Sequence, residues 1–267
     1  MTNDPNGERP VDVPVVKTTP KIKPWLPYWA VLREDIRQTL QSWVYRTWVI
    51  LSLLSVIGFM HYRVAQFHGA GIIQHASELI SDLLRWCVVG SVTLIIVLTT
   101  GSISGERGTL ADSVLSRGIS RYQYFLGKWH ARLVAVLGTF FVLGVSAVMA
   151  SVFLLHADVS WIGSFFALIA VAALLGVVIS CGVTFSAIFS STLLGVAVVW
   201  ILVYGIGFTL WLLPIHYAPQ FHVLSSLPFI IRGEYNFHVL FRLVGWSALV
   251  SCILALMGIV TFSRRDV

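Results

Sequence analysis

Charged residues are scarce in this sequence. Asp, Glu, Lys and Arg make up 11% of its 267 residues, where a soluble domain carries about a quarter. So few charges cannot cover a water-facing surface. From Val159 to Ile231 there are none at all. One membrane crossing needs about 20 apolar residues, so that block holds two spans and part of a loop. Cysteine is almost as rare. Cys87, Cys181 and Cys252 all fall inside apolar blocks, which excludes a disulfide framework and metal spacing and leaves three small buried hydrophobes. The first apolar block starts only near Trp43, so no signal peptide is expected. Residues 1–27 carry six prolines among polar residues, the composition of a disordered, solvated cytoplasmic tail. The formal charge of +6 suggests nucleic acid as a partner, but the charges flank apolar blocks and form no patch, so no nucleic-acid role is expected.

Several catalytic devices are missing too. Gly127-Lys128-Trp129 has the GK pair of a phosphate-binding loop, but Tyr122 stands where the first glycine belongs and no Ser or Thr follows the lysine. ATP coupling would have to come from another subunit. There is no HExxH. Gly144–Ala147 reads GxSA, but no histidine lies within a span core to act as base. The chain is therefore expected to be no enzyme, with no catalytic residue, no metal site and no cofactor of its own. The span cores also lack ionisable residues, which an ion-coupled carrier usually keeps at membrane depth; sodium sites built from carbonyls and hydroxyls stay open. Ser102, Ser146, Ser180, Thr184 and Ser186 are expected to hydrogen-bond between helices or to their own backbone. Gly101 and Gly105 form a GxxxG that permits close helix approach. Seven of the eight histidines fall on the outer side. His61, His68 and His75 are spaced by seven, but Gly69 and Gly71 interrupt the helix that would align them, and interfacial polar residues are the simpler reading than a metal or pH-sensing site.

What is present is an all-α integral membrane protein. Six spans are predicted at about 44–62, 86–104, 132–155, 161–187, 192–213 and 241–262. Of the 18 basic residues, fourteen then fall on one side and four on the other. The excess marks the cytoplasmic face and puts both termini there, in a multi-pass protein of the cell (inner) membrane. Before the first span, Trp29, Leu32, Ile36, Leu40 and Trp43 recur at helical spacing opposite Arg33, Glu34, Arg37, Gln38 and Gln41. This is an N-terminal amphipathic helix suited to lie in the membrane interface on lipid. Between spans five and six, the short apolar runs Val223–Leu227 and Phe229–Ile231 flank Pro228. Neither can cross a bilayer, and both are expected to dip in as short re-entrant helices tucked between the tops of spans five and six.

The inner stretch 105–131 carries Gly105-Glu106-Arg107-Gly108-Thr109-Leu110, then Val114-Leu115-Ser116, Ile119-Ser120-Arg121 and Leu126-Gly127-Lys128. This resembles the cytoplasmic loop of ABC-2-type permeases, "E…GTL…LLS.P.SR…GK". Phe262-Ser263-Arg264-Arg265-Asp266 is similar to that family's F-x-R-R-D ending. The likeness covers about residues 28–267, as one ABC-2-type transmembrane domain. Gly118 replaces the proline usual before the SR element, exchanging a fixed φ for a free one.

The resemblance implies a transmembrane subunit of an ABC exporter. Its partner would be a separate ABC ATPase carrying ATP and Mg, with two permeases forming a homodimer or pseudo-dimer. It implies that the loop holds a short coupling helix seated on the ATPase, formed by Glu106, Arg107, Thr109, Leu110, Asp112, Val114, Leu115 and Arg121. The residues are compatible: Thr109 or Asp112 can cap such a helix, and Leu110, Val114 and Leu115 give it an apolar face. A basic loop held against anionic lipid fits them equally well. On the outer side, Pro228, Phe229 and Ile230 are expected to form a gate over a route for an amphiphilic or hydrophobic cargo. The alternatives are a secondary transporter and the membrane component of an ATP-driven assembly or mechanotransmission machine.

Overall fold

The computed structural model describes residues 25–70, 75–106, 119–154, 158–212 and 223–264. These are helical almost throughout, with no strand among the described residues. The helices are α1 (Leu26–Gln41), α2 (Trp43–Ala70), α3 (Ala76–Ser104), α4 (Arg121–Leu154), α5 (Trp161–Ile188), α6 (Thr192–Leu212), α7 (Val223–Arg232) and α8 (Phe237–Arg264). Six of them, all but α1 and α7, are long and apolar enough to cross a membrane, and the chain is a multi-pass membrane protein. With six crossings, α1 and the end of α8 share one side, called here the terminal side; α7 lies on the far side.

Two helices start about ten residues before their predicted spans. Span two begins at Ala76 rather than 86, and span three at Arg121 rather than 132. A hydropathy reading stops at the first charges. Here the charges are paired, and the helices continue through them. At the N-terminus α1 starts at Leu26, with Pro27 in its first turn, where a missing N–H costs nothing. The predicted tail is otherwise outside the described residues. Ser42 has extended backbone and ends α1. Its hydroxyl then accepts from Tyr45 N–H at 3.2 Å, capping α2.

The centre of the bundle is α5, which packs on α3, α4, α6, α7 and α8. Its buried face is rich in small residues, among them Gly163, Ala167, Ala170, Gly176, Ser180 and Gly182. In lipid, apolar contact alone does not drive helices together, and small residues let backbones close up. At Gly182 an added Cβ would lie 2.7 Å from Thr99 Cβ on α3. The glycine that admits α3 against α5 is therefore Gly182 and not Gly101 of the GxxxG, where a methyl would only touch Thr192 at 3.9 Å. Four of the five span hydroxyls follow the structural expectation; the fifth, Ser102, is buried with no hydrogen-bond partner among the described residues. Thr184 donates to Leu254 C=O on α8 at 2.8 Å, and Ser186 Oγ accepts from Ile103 and Ser104 N–H on α3. Ser180 accepts from Trp129 Nε1 at 2.9 Å, and Ser146 bonds its own helix. At the periphery, 11% of the α6 span is buried and 17% of the α2 span, against 56% for α5.

Candidate functional site

The terminal-side ends of α1, α3 and α4 meet at a cluster of charges. On α1, Val31, Asp35 and Thr39 recur every four residues and turn the same way. Val31 lies over Gly127 of α4, where an added Cβ would come within 2.8 Å of Val31 Cγ1. Gly127 thus admits α1, and the next residue, Lys128, reaches Asp35. Asp35 and Thr39 are buried. The stripe of Trp29 and Leu40 lies about a third of a turn away and stays uncovered, at 61% and 44% exposure; Trp43, expected to continue it, falls on α2 beyond the break at Ser42. So α1 has three faces: one on α4, one apolar face free for lipid, and one solvated.

On α4, Tyr124, Lys128 and Arg132 are spaced by four and share one face. Lys128 Nζ donates to Asp35 Oδ1 at 2.9 Å and also to Glu106 Oε1 at the end of α3. Tyr124 Oη donates to Glu106 Oε2 at 2.7 Å. Arg132 Nε lies 3.2 Å from Asp35 Oδ2, and its Nη2 donates to Oδ1 at 3.3 Å. The order is Arg132, Asp35, Lys128, Glu106, Tyr124, with two cations and two anions alternating. Asp35 is 2% exposed and Lys128 3%. Charges this deep persist only when paired. Glu106 sits at the rim, its side chain 22% exposed.

The other stem of the connecting segment is fixed as well. Arg121 opens α4, and its Nη1 donates to Ser263 C=O at the end of α8 at 3.1 Å. Just behind, Tyr124 stacks on Phe262, with centroids 6.0 Å apart. Glu106 and Arg121 therefore bracket the segment from opposite sides, one tied to α1 and α4, the other to α8. Arg107, Thr109, Leu110, Asp112, Val114 and Leu115 lie outside the described residues. Asp35, Tyr124 and Arg132 were not singled out from the sequence. The signals were there: Asp35 is in register with Val31 and Thr39, and Lys128 with Arg132 at i,i+4.

On the far side, the three gate residues are consecutive on one helix. Pro228 sits inside a single helix, α7, and does not divide two. Proline cannot donate to the carbonyl four residues back. That carbonyl, of Leu224, accepts instead from Arg85 Nε of α3 at 2.7 Å, and Ser225 C=O accepts from Arg85 Nη2 at 2.9 Å. The guanidinium replaces the lost bond, so the helix runs through the proline. Ile230 is buried and Phe229 is 53% exposed. The helix packs on α3 and α5, spans two and four, and not between spans five and six as expected. Its C-terminus explains this. Gly233, at φ 95°, closes a Schellman motif, with Gly233 N–H to Ile230 C=O and Glu234 N–H to Phe229 C=O. The carbonyl of Ile231 then accepts from Ser160 N–H at 2.9 Å at the start of α5. Arg232 Nε donates to Asp158 Oδ2 and to Ser77 Oγ, and Nη2 to Glu78. Asp158 also accepts from Ser77 N–H and Oγ, at 3.0 and 2.6 Å. His75 Nδ1 is 3.4 Å from Asp158. His75 precedes α3 while His61 is on α2, so the seven-residue spacing does not align them on one helix.

No protein-family model matches this chain, and neither does any curated protein. The functional reading rests on the residues above.

Proposed function

We propose that the chain is the transmembrane permease subunit of an ATP-driven ABC exporter. The terminal side faces the cytoplasm of the cell's inner membrane, and a separate ATPase, carrying ATP and Mg, seats on residues 107–118. Two permeases pair as a homodimer or pseudo-dimer. The observation that carries this reading is the double fixation of the segment's stems. Glu106 is tied through Lys128 to Asp35 of α1, and Arg121 to the end of α8. A push on the segment is delivered to four helices at once. That arrangement suits the transmission of force, and the sequence carries no complete phosphate-binding loop. The cargo is amphiphilic or hydrophobic, since α5 and α6 offer no charge to a passing ion. Over the far side, α7 presents Phe229 outward, where a second copy can meet it.

The test is affinity purification of the tagged chain from its native membrane, with mass spectrometry of what accompanies it. An ATPase with its own phosphate-binding loop is expected. Leu110→Asp and Leu115→Asp each place a charge in an apolar contact and should abolish that association while insertion into the membrane persists. Unchanged association and ATP turnover in both variants would overturn the proposal.

A further inference from the structure

A cleft of about 290 Å³ opens between α2 and α3, on the bilayer side of the bundle. Its α2 wall is Trp48, Ser52, Ser55 and Phe59 with their neighbours, one helical face over three turns, roughly 16 Å long at 1.5 Å per residue. Gly90 is on the opposite wall, and an added Cβ there would meet nothing within 4 Å. A smaller hollow of about 30 Å³ continues inward toward Phe140, Gly144 and Leu175. The rim is open to lipid, with Trp86 70% exposed.

The α2 wall brings unmet polar groups together at an open cleft; Ser102 of α3 and Ser164 of α5 are also buried without a partner among the described residues, but neither lines this cleft. Elsewhere the hydroxyls of Thr99, Thr139, Ser151 and Ser180 donate to their own helix. Ser52, 6% exposed, and Ser55 make no hydrogen bond with the described residues. The indole N–H of Trp48, a residue 3% exposed, is buried without a partner. A polar group left unmet in hydrocarbon is costly, and two of these lie one turn apart on the same wall. Water would need two to four polar partners, and the walls are otherwise mainly apolar.

We propose that this cleft binds one acyl chain of a membrane amphiphile, whose hydrogen-bond-accepting group, an ester or carboxyl oxygen, is held by Trp48 and Ser52. The space free of protein atoms, about 760 Å³ counted out to the open rim, is smaller than the roughly 1,200 Å³ of a helix of about 10 Å diameter over the same length, so a partner's helix fits only across the mouth and the interior takes a narrower group. An acyl chain is long, narrow and apolar, and reaches the open rim by lateral diffusion. The site stands whether or not the chain is an exporter.

The experiment uses the full chain in lipid nanodiscs doped with a phosphatidylglycerol bearing a diazirine midway along one acyl chain. After illumination, adducts are located by mass spectrometry. They should concentrate on residues 48–59 and 83–94, at least about fivefold above the lipid-facing surface of α8. Gly90→Leu fills the cleft without a clash and should remove most of that labelling. Gly58→Leu, also with open space around it but outside the cleft, should not change it. Trp48→Phe should weaken labelling about two- to tenfold, the worth of one hydrogen bond. Should that variant fail to fold, Ser52→Ala reads the same contact. Labelling spread evenly over the spans and indifferent to Gly90→Leu overturns the site. So does crosslinking of these residues to a second copy in place of lipid.

Discussion

Both ends of the bundle are pinned by ions, yet they are built differently. At the terminal side the buried links are between side chains, with Arg121 to the Ser263 carbonyl outside them. Arg132, Asp35, Lys128 and Glu106 neutralise one another, and Asp35 and Lys128 are almost fully buried. On the far side the charges are partly in solvent and many of their partners are backbone. Arg85 donates to two carbonyls of α7, Ser77 N–H donates to Asp158, and Arg232 has a side chain 31% exposed. Removing one member of a buried chain strands its neighbours without solvation. Removing one member of the exposed cluster lets water and the remaining bonds compensate. The terminal junction should therefore fail as a unit, and the far-side anchor by degrees. A device that transmits force benefits from the first property; a fixed cap needs only the second.

Asp35→Ala tests the comparison most severely. It leaves Lys128 and Arg132 buried with Glu106 as the one remaining anion, and should cost about 3–5 kcal/mol. Arg232→Ala breaks pairs that are part-exposed and should cost about 1 kcal/mol or less. Thermal unfolding of both in detergent, followed by tryptophan fluorescence, ranks them. Equal losses would mean that burial does not separate the two ends.

A middle-sized effect is expected where helices touch. At Gly163 an added methyl would collide with the carbonyl oxygens of Ile230 and Ile231, which cannot yield without undocking α7. Gly163→Ala should cost about 1–3 kcal/mol and expose α7 to protease. At Gly127 the methyl would meet Val31 Cγ1 at 2.8 Å and Val31 Cβ at 3.1 Å; rotation of Val31 relieves the first, and α1 must give by a few tenths of an ångström for the second. There the roughly 1 kcal/mol gain in helix propensity of alanine over glycine offsets much of the clash. A larger loss at Gly127 than at Gly163 would show α1 to be the more rigidly seated element.

The spans were legible because their signal is composition over twenty residues, which no tertiary contact overrides. The uncharged stretch containing α5 and α6 could hardly be anything else. The junction was less legible because its logic is pairwise. Asp35 looks like one more polar residue on an amphipathic helix until α4 brings Lys128 to it, 93 positions away in sequence. The same blindness cut span two at 86 and span three at 132: Asp82, Arg85, Lys128 and Arg132 count against a span one at a time and are harmless once paired. Pro228 misled for a related reason. It breaks a helix only when the freed carbonyl finds no donor, and the donor, Arg85, comes from another span.

The smallest expected effect lies in the far-side cluster and concerns pH. Burial pushes the Asp158 carboxyl up, but the Ser77 hydroxyl and N–H, then the charges of His75 and Arg232, outweigh it and hold the group below its usual range. A carboxylate depressed on folding adds stability above its unfolded value, about 3.9, and loses it as pH falls from there through the lower folded value. The unfolding temperature of the native chain should therefore drop as pH falls below about 4 more steeply than that of Asp158→Asn, which has already lost the contribution at neutral pH. The difference should be modest because the side chain is 20% exposed. It should also shrink in high salt, since Arg232 and His75 act partly through solvent. Identical slopes in the two proteins would sink the assignment of Asp158 as the charged hub joining α3, α5 and α7. A slope that survives high salt unchanged would shift the credit from the ion pairs to the two bonds from Ser77.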